Sequence, residues 1–147
     1  QDGHECKTGA RDSYREWILL TLVEIWTGFS EKFLTLWRDH QTGDAYPPSL
    51  FQGDLGCIRL EAEHRAYMSR LWTDTLGFAA AKMIRRILGL AHNIDLEKIS
   101  DERARATCEA RALTMARDMM VNPGGYSDII QVAAAARHMR SWTPTFS

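Results

Sequence analysis

Apolar side chains recur at steps of three and four residues along most of this chain of 147 residues. Between residues 12 and 39 the recurring positions are Trp17, Leu20, Ile25, Trp26, Phe29, Phe33, Leu36 and Trp37. Because an α-helix has 3.6 residues per turn, this spacing places them on one side of a helix. No run of β-branched residues alternates with polar ones, as a half-buried strand requires. The pattern therefore predicts an all-α fold.

Breaks in this period divide the chain into helices and loops. Ser13 and Glu16 have the spacing of a capping box, which predicts the start of the first helix. Gly77 is expected to bend the chain between the second and third helices. The further helices are expected at residues 58–75, 78–92 and 101–121 and after Ser127 or Asp128, with a short helical piece within 93–100.

The domain organisation follows from these elements. Residues 12–140 are expected to form one helical subdomain resembling a five-helix bundle. Residues 1–11 are a polar lead-in, expected to follow a missing upstream segment, and residues 141–147 are a tail.

Charge and cysteine content limit the function classes. The 18 basic and 19 acidic side chains are interleaved and give a net charge of −1, which offers no electrostatic case for nucleic acid or a membrane surface. No uncharged run approaches the roughly 20 residues of a membrane span. Cys6, Cys57 and Cys108 are odd in number and widely spaced, so neither a disulfide framework nor a cysteine zinc site is indicated. A reducing cytoplasm is the expected setting.

Arg85 and Arg86 are two permanent charges within the most apolar segment, residues 78–92, which is expected to form a central helix. Buried charges are costly unless they are paired, so each guanidinium must reach a carboxylate, a carbonyl cluster, a ligand or solvent. Adjacent helical positions point about 100° apart. The two could share one ligand over the helix edge, or one could be held by a structural acid such as Asp74 or Asp95. Alternatively, both lie on a solvated rim.

Other candidate residues are weaker. Tyr46 and Phe51 lie in the glycine- and proline-rich loop of residues 40–57, and long loops are often functional, so both are candidates for lining a site. The histidines show no helical pairing that would make a metal site, and each is expected to be structural or solvated. These are His4, His40, His64, His92 and His138. Trp17, Trp26, Trp37 and Trp72 are expected in the core.

Residues 76–92, with the sequence LGFAAAKMIRRILGLAH, resemble the corresponding stretch of bacterial methylthioribose kinases, whose helix carries a twin-arginine substrate motif. The likeness covers most of the chain to about Met120, and little beyond Pro123 is similar. Further similar segments occur in the same order at residues 1–4, 14–17, 33–37, 43–46 and 95–97.

The resemblance implies a kinase of the methionine salvage pathway with a protein-kinase-like, two-lobed fold. Such an enzyme transfers the γ-phosphate of ATP to the 1-hydroxyl of 5-methylthioribose with Mg²⁺, and it is expected to be a cytoplasmic homodimer. By motif match, Arg85 and Arg86 would contact the sugar. The chain would correspond to the C-terminal helical part of the large lobe only.

The chain also departs from the family pattern. The family's His-Gly-Asp catalytic motif, its Asp-X-Glu magnesium pair, its glycine-rich loop and its small-lobe lysine all lie upstream of the region represented here. The Gly-Asp-Leu of residues 53–55 is no substitute, because Gln52 replaces the histidine and no strand precedes it. A loop turn is expected there, and Asp54 is not a catalytic candidate. The chain alone is therefore expected to be inactive without the missing N-terminal part. The alternative is a stand-alone helical binding module without catalysis.

Overall fold

The computed structural model describes residues 11–90 and 93–145, and these are organised as α-helices without any strand. The all-α prediction is confirmed. The helices are α1 (Asp12–Asp39), α2 (Gly56–Leu88), the short α3 (Ile94–Glu97), α4 (Glu102–Val121) and α5 (Ile129–Ser141), with 3₁₀ turns at Pro48–Phe51 and Pro123–Gly125. The expectations for residues 1–4, Cys6 and His92 lie outside the described residues.

The first two long helices form an antiparallel hairpin that is held by aromatic rings. Positions later in α1 pair with positions earlier in α2, as an antiparallel arrangement requires. The ring pairs are Trp26 with Trp72 at 4.7 Å, Phe33 with Tyr67 at 5.6 Å, and Trp37 with His64 at 4.4 Å between centroids. The hairpin therefore fixes the loop of residues 40–55 at one end of the molecule.

The prediction of two helices separated at Gly77 is wrong, because α2 continues through this residue for 33 residues. A Cβ atom at Gly77 would meet nothing within 4 Å, so no close contact turns the chain aside. A glycine inside a helix costs only about 1 kcal/mol relative to alanine. Leu76 and Ala80 are buried on either side of it, and their packing outweighs that cost.

The core lies between the middle of α2 and the end of α4. Its buried members are Trp72, Leu76, Ala80, Ala116, Met119 and Tyr126. The indole N–H of Trp72 donates to the main-chain carbonyl of Tyr126 at 2.6 Å, and the Tyr126 hydroxyl donates to Asp118 Oδ2 at 2.6 Å. Burial, together with the nearby carboxylate, raises the pKa of Tyr126 to about 12. These hydrogen bonds connect the segment that follows α4 to the centre of α2 and to the end of α4.

Helix α5 runs back along the start of α1, where two arginines meet two acids. Arg137 donates to Glu16, and Arg140 pairs with Asp12. The hydrogen bond from Arg137 lowers the pKa of the Glu16 carboxyl. The predicted capping box is wrong, since α1 begins at Asp12 with no side-chain cap on its N-cap residue. Glu16 instead accepts hydrogen bonds from Arg137 of α5.

Much apolar surface remains exposed in the described part of the chain. Trp17 is 59% exposed, so its prediction as a core residue is wrong. Phe78 is 78% exposed, which also contradicts the expectation of a helix buried on all sides over residues 78–92. The physical reason is that only the side of α2 bearing Trp72, Leu76 and Ala80 meets α4. No helix within the described ranges has the length and hydropathy needed to span a bilayer.

Candidate functional site

The two adjacent arginines occupy the last turn of α2, and both are exposed. Cations are favoured at this end of a helix, where the unpaired carbonyls carry partial negative charge. Gly89 is the first residue after α2, and its N–H donates to the Arg85 carbonyl oxygen at 3.0 Å. A Cβ atom at Gly89 would lie 2.5 Å from that oxygen, so the chain can leave the helix here only because the residue is glycine.

Arg85 shares one face of α2 with Asp74, Phe78 and Ala81, which precede it by eleven, seven and four residues. These three residues line an open groove of about 380 Å³ between α2 and the end of α4. Its full lining is Thr73, Asp74, Gly77, Phe78, Ala81, Met119, Met120 and Pro123. Ala81 lies one turn before Arg85, about 6 Å along the axis. Arg85 therefore lies one helical turn beyond Ala81, the last residue of α2 that lines this groove.

Arg86 lies about 100° around the helix from Arg85, on the face that carries Lys82. A ligand that contacts both guanidinium groups would sit over the helix edge between these faces. Asp74 cannot be the structural partner of Arg85, because eleven residues of helix separate them by roughly 16 Å. Asp74 is therefore ruled out as the acid that holds Arg85, and the alternative at Asp95 stays a prediction.

A second groove lies at the opposite end of α2, between the end of α1 and the loop that follows. It has a volume of about 420 Å³ and is lined by Phe33, Leu36, Trp37, His40, Tyr46 and Tyr67. Tyr46 packs edge-on against Trp37 at 5.0 Å and accepts a hydrogen bond from Arg70 at 3.3 Å. Phe51 is not part of this lining. Its carbonyl instead lies so close to Gly56 that a Cβ atom there would approach within 1.9 Å.

The structure does not bring the loop candidates and the arginine pair together. Tyr67 lines the aromatic groove with Tyr46 and lies 18 residues before Arg85 on the same helix. That spacing corresponds to about 27 Å of helix rise. The aromatic groove and the arginine pair are therefore separate regions, and a site-lining role for Tyr46 or Phe51 stays a prediction.

His64 is a buried residue that the sequence did not distinguish from the other histidines. It is 1% exposed, and among the residues that the structure describes neither ring nitrogen has a hydrogen-bond partner. Burial lowers the pKa of His64, while the Glu61 carboxylate, 3.8 Å from Nδ1, acts in the opposite direction. One signal was present: His64 precedes Tyr67 by three residues and Trp72 by eight, which places it on the inner face of α2.

The described residues do not offer a magnesium site. Within residues 11–90 and 93–145, no group of three or more histidine, cysteine, aspartate or glutamate side chains is arranged to hold a metal ion. Asp54 lies in a turn that Gly53 makes possible with a φ of +82°, and the Gly56 N–H donates to the Gly53 carbonyl at 2.9 Å. The expected loop turn at Asp54 is confirmed.

Comparison with known proteins relates the chain to one group of enzymes. It is 41% identical over 135 residues to methylthioribose kinase 1 of Oryza sativa subsp. japonica, covering 90% of this chain and 30% of that protein. It is 40% identical over 134 residues to methylthioribose kinase 2 of the same plant, covering 90% and 31%. It is 34% identical over 135 residues to the methylthioribose kinase of Escherichia coli O45:K1, covering 92% and 32%. No protein-family model matches the chain.

These relatives are named as kinases, which are phosphotransferases, and the chain spans only 30–32% of their length. Identity at this level over nine-tenths of the chain establishes homology to part of a methylthioribose kinase. The partial coverage and the all-helical structure are consistent with the C-terminal part of such an enzyme.

Proposed function

We propose that this chain forms the C-terminal helical part of the large lobe of a methylthioribose kinase and supplies Arg85 and Arg86 to the binding of 5-methylthioribose. The observation that carries the proposal is the exposed arginine pair at the end of α2, in a chain 34–41% identical to methylthioribose kinases. The whole enzyme would phosphorylate the 1-hydroxyl of the sugar from ATP.

The chemistry of the guanidinium group suits this role. Arginine stays charged at any physiological pH and presents five N–H donors in a rigid fork. Such donors can bind ribose hydroxyls in the substrate and then stabilise the negative charge that develops as the phosphate group arrives. Because Arg85 and Arg86 start from different faces of α2, they can contact the sugar from two directions.

ATP and Mg²⁺ would be held by the remainder of the enzyme. Phosphoryl transfer depends on positioned phosphates, bound metal and a residue that accepts the hydroxyl proton. The described residues hold no carboxylate cluster that could bind the metal. The 147-residue chain alone should therefore show no turnover, and the full enzyme is expected to act as a cytoplasmic homodimer.

A stand-alone binding module is less well supported by the physical features of the fold. Helix α1 has no buried residue in its 28 positions, and large apolar side chains on its outer side are exposed. Extended apolar surface of this kind is unusual on an independent soluble domain and marks a contact with further polypeptide. Static light scattering of the isolated chain would test this point, since a monomer that does not self-associate would favour the module.

A chimeric enzyme tests the proposed function directly. This chain would replace the matched 135 residues of methylthioribose kinase 1 of Oryza sativa subsp. japonica. The assay is ATP-dependent phosphorylation of 5-methylthioribose. We expect turnover by the chimera and none by the 147-residue chain. A well-folded chimera without turnover, or an active isolated chain, would contradict the proposal.

A further inference from the structure

Helix α1 carries a second apolar face that the fold leaves uncovered. Its members, here called the outer stripe, are Tyr14, Ile18, Leu22, Ile25, Phe29 and Leu36. Their exposed fractions lie between 39% and 62%. They follow one another at steps of four, four, three, four and seven residues, with Lys32 in the last gap. This is the spacing of a continuous apolar seam along one side of a helix.

The outer stripe is distinct from the side of α1 that packs inside the molecule. The inner side presents Trp26, Phe33 and Trp37, whose rings contact α2. The outer stripe is centred about 80° away around the helix axis, and it borders the inner side at Phe29, which stacks on Phe33, and at Leu36, which lines the aromatic groove. From Tyr14 to Leu36 it extends over 22 residues, or roughly 33 Å. That length suits a helix packed along α1 rather than a small ligand.

Gly28 borders the outer stripe and supports the same conclusion. It follows Ile25 by three residues, and a Cβ atom there would meet nothing within 4 Å in this chain. A glycine on the open side of a helix lets another backbone approach closely.

We propose that the outer stripe docks a helix from the part of the kinase polypeptide that this chain does not match. The inference rests on the proposed function, because it takes the occupant from the same enzyme. The relatives are more than three times as long as the matched segment, which covers 30–32% of their length. Their remaining length offers the polypeptide needed to cover this face, and a segment in the same chain would meet it at high effective concentration.

Lys32 argues against a second copy of this chain as the occupant. An antiparallel pair of α1 helices centred on Ile25, the midpoint of the outer stripe, places Lys32 opposite Ile18 rather than opposite an acid. A parallel two-fold pair places Lys32 against its own copy. Both arrangements would bury an unpaired or like-charged ammonium, which is costly. The occupant should instead be a different helix with an apolar row and an aspartate or glutamate at the level of Lys32.

The decisive comparison uses two leucines of α1 with almost equal exposure. Leu22 belongs to the outer stripe and is 47% exposed, whereas Leu20 lies outside it and is 49% exposed. The two positions are about 160° apart on the helix. Leu22→Glu and Leu20→Glu would be made both in the isolated chain and in the chimera with the rice kinase, and melting temperatures measured.

In the isolated chain we expect both variants to melt at the same temperature as the parent. In the chimera, Leu22→Glu should lower the melting temperature by about 5 °C or more, while Leu20→Glu should leave it nearly unchanged. Lys32→Glu should also lower it in the chimera alone. If a glutamate variant of the chimera is insoluble, the pair Leu22→Ala and Leu20→Ala gives the same comparison with a smaller loss.

Equal melting temperatures for the two leucine variants in the chimera would overturn the docking proposal. A dimer of the isolated chain in sedimentation that Leu22→Glu dissociates would overturn it in favour of a second copy. Failure of the proposed function is distinguishable from both outcomes. A chimera that lacks turnover but shows the selective loss at Leu22 would retain the docked helix and remove the enzymatic role.

Discussion

The main-chain N–H of Gly89 donates to the carbonyl oxygen of Arg85 at 3.0 Å, and α2 ends at this hydrogen bond. A Cβ atom at Gly89 would lie 2.5 Å from that oxygen and 3.4 Å from Arg85 Cγ. The φ of Gly89 is −90°, so the requirement is for space rather than for a left-handed backbone. The glycine therefore shapes the helix end that presents the arginine pair.

Substitution of Gly89 by alanine should disturb this helix end. Because the new methyl group would collide with the main chain of Arg85, we expect Gly89→Ala to lower the free energy of unfolding by about 1–3 kcal/mol. Gly77→Ala is the matched control, since a Cβ atom there would meet nothing within 4 Å. Because alanine is favoured over glycine inside a helix, this variant should raise the free energy of unfolding by about 0.5–1 kcal/mol. Urea unfolding measures both. Equal effects at the two glycines would rule out the collision.

The buried imidazole of His64 should make stability depend on pH. Burial lowers the pKa of His64 in the folded chain below its ordinary value, so the unfolded chain binds the proton more readily. The contribution of neutral His64 is fully present above about pH 6.5 and is lost as the pH falls from there toward its folded pKa. The charged groups nearest to it are Glu61 and, through Glu61, Arg38.

Unfolding free energies at pH 7.5, 6.5 and 5.5 would measure this loss. We expect stability to fall over that range in the parent chain and to fall less in His64→Phe, which keeps an aromatic ring against Trp37 without a titrating nitrogen. His40→Gln is the control, since His40 is exposed, and should behave like the parent. Parallel pH profiles for the parent and His64→Phe would refute the assignment.

The hydroxyl of Tyr126 should contribute measurably to stability. It donates to Asp118 at 2.6 Å from within the core, so Tyr126→Phe should cost about 1–2 kcal/mol of unfolding free energy. Tyr14→Phe, at an exposed ring, should cost nothing measurable. An ultraviolet titration of the parent should also show one tyrosine that ionises with a pKa of about 12. A phenylalanine at position 126 that left stability unchanged would show that the hydrogen bond is not net stabilising.

Local pattern predicted much of the fold but not which faces are covered. The bounds of α1 and α4 follow from helical spacing and from Asp101, whose side chain accepts the main-chain N–H groups of Arg103 and Ala104. The continuity of α2 through Gly77 could not be predicted, because packing on either side outweighs a small local cost. Trp17 and Trp72 both fit an apolar helical period, and only packing against a partner helix makes Trp72 buried while Trp17 is exposed.

The candidate site was only partly visible in the sequence. The sequence distinguishes Arg85 and Arg86 as charges in an apolar segment, but its pattern predicts a helix through residue 92, whereas α2 ends at Leu88. Gly89 is an ordinary helix-ending signal, and its collision with the Arg85 carbonyl is a three-dimensional property. The burial of His64 likewise depends on how α1 packs across α2, since its nearest ring is Trp37 of the other helix.

The most direct test of the arginine assignment is steady-state kinetics of the rice chimera with varied 5-methylthioribose. Because each guanidinium is expected to make charge-assisted hydrogen bonds with the sugar, Arg85→Ala and Arg86→Ala should each lower kcat/KM for the sugar by about 10–100-fold. The KM for ATP should stay near that of the parent. Lys82→Ala, an exposed cation one turn before Arg86, should retain full kcat/KM. If both arginine variants match Lys82→Ala, the arginine pair does not bind the sugar.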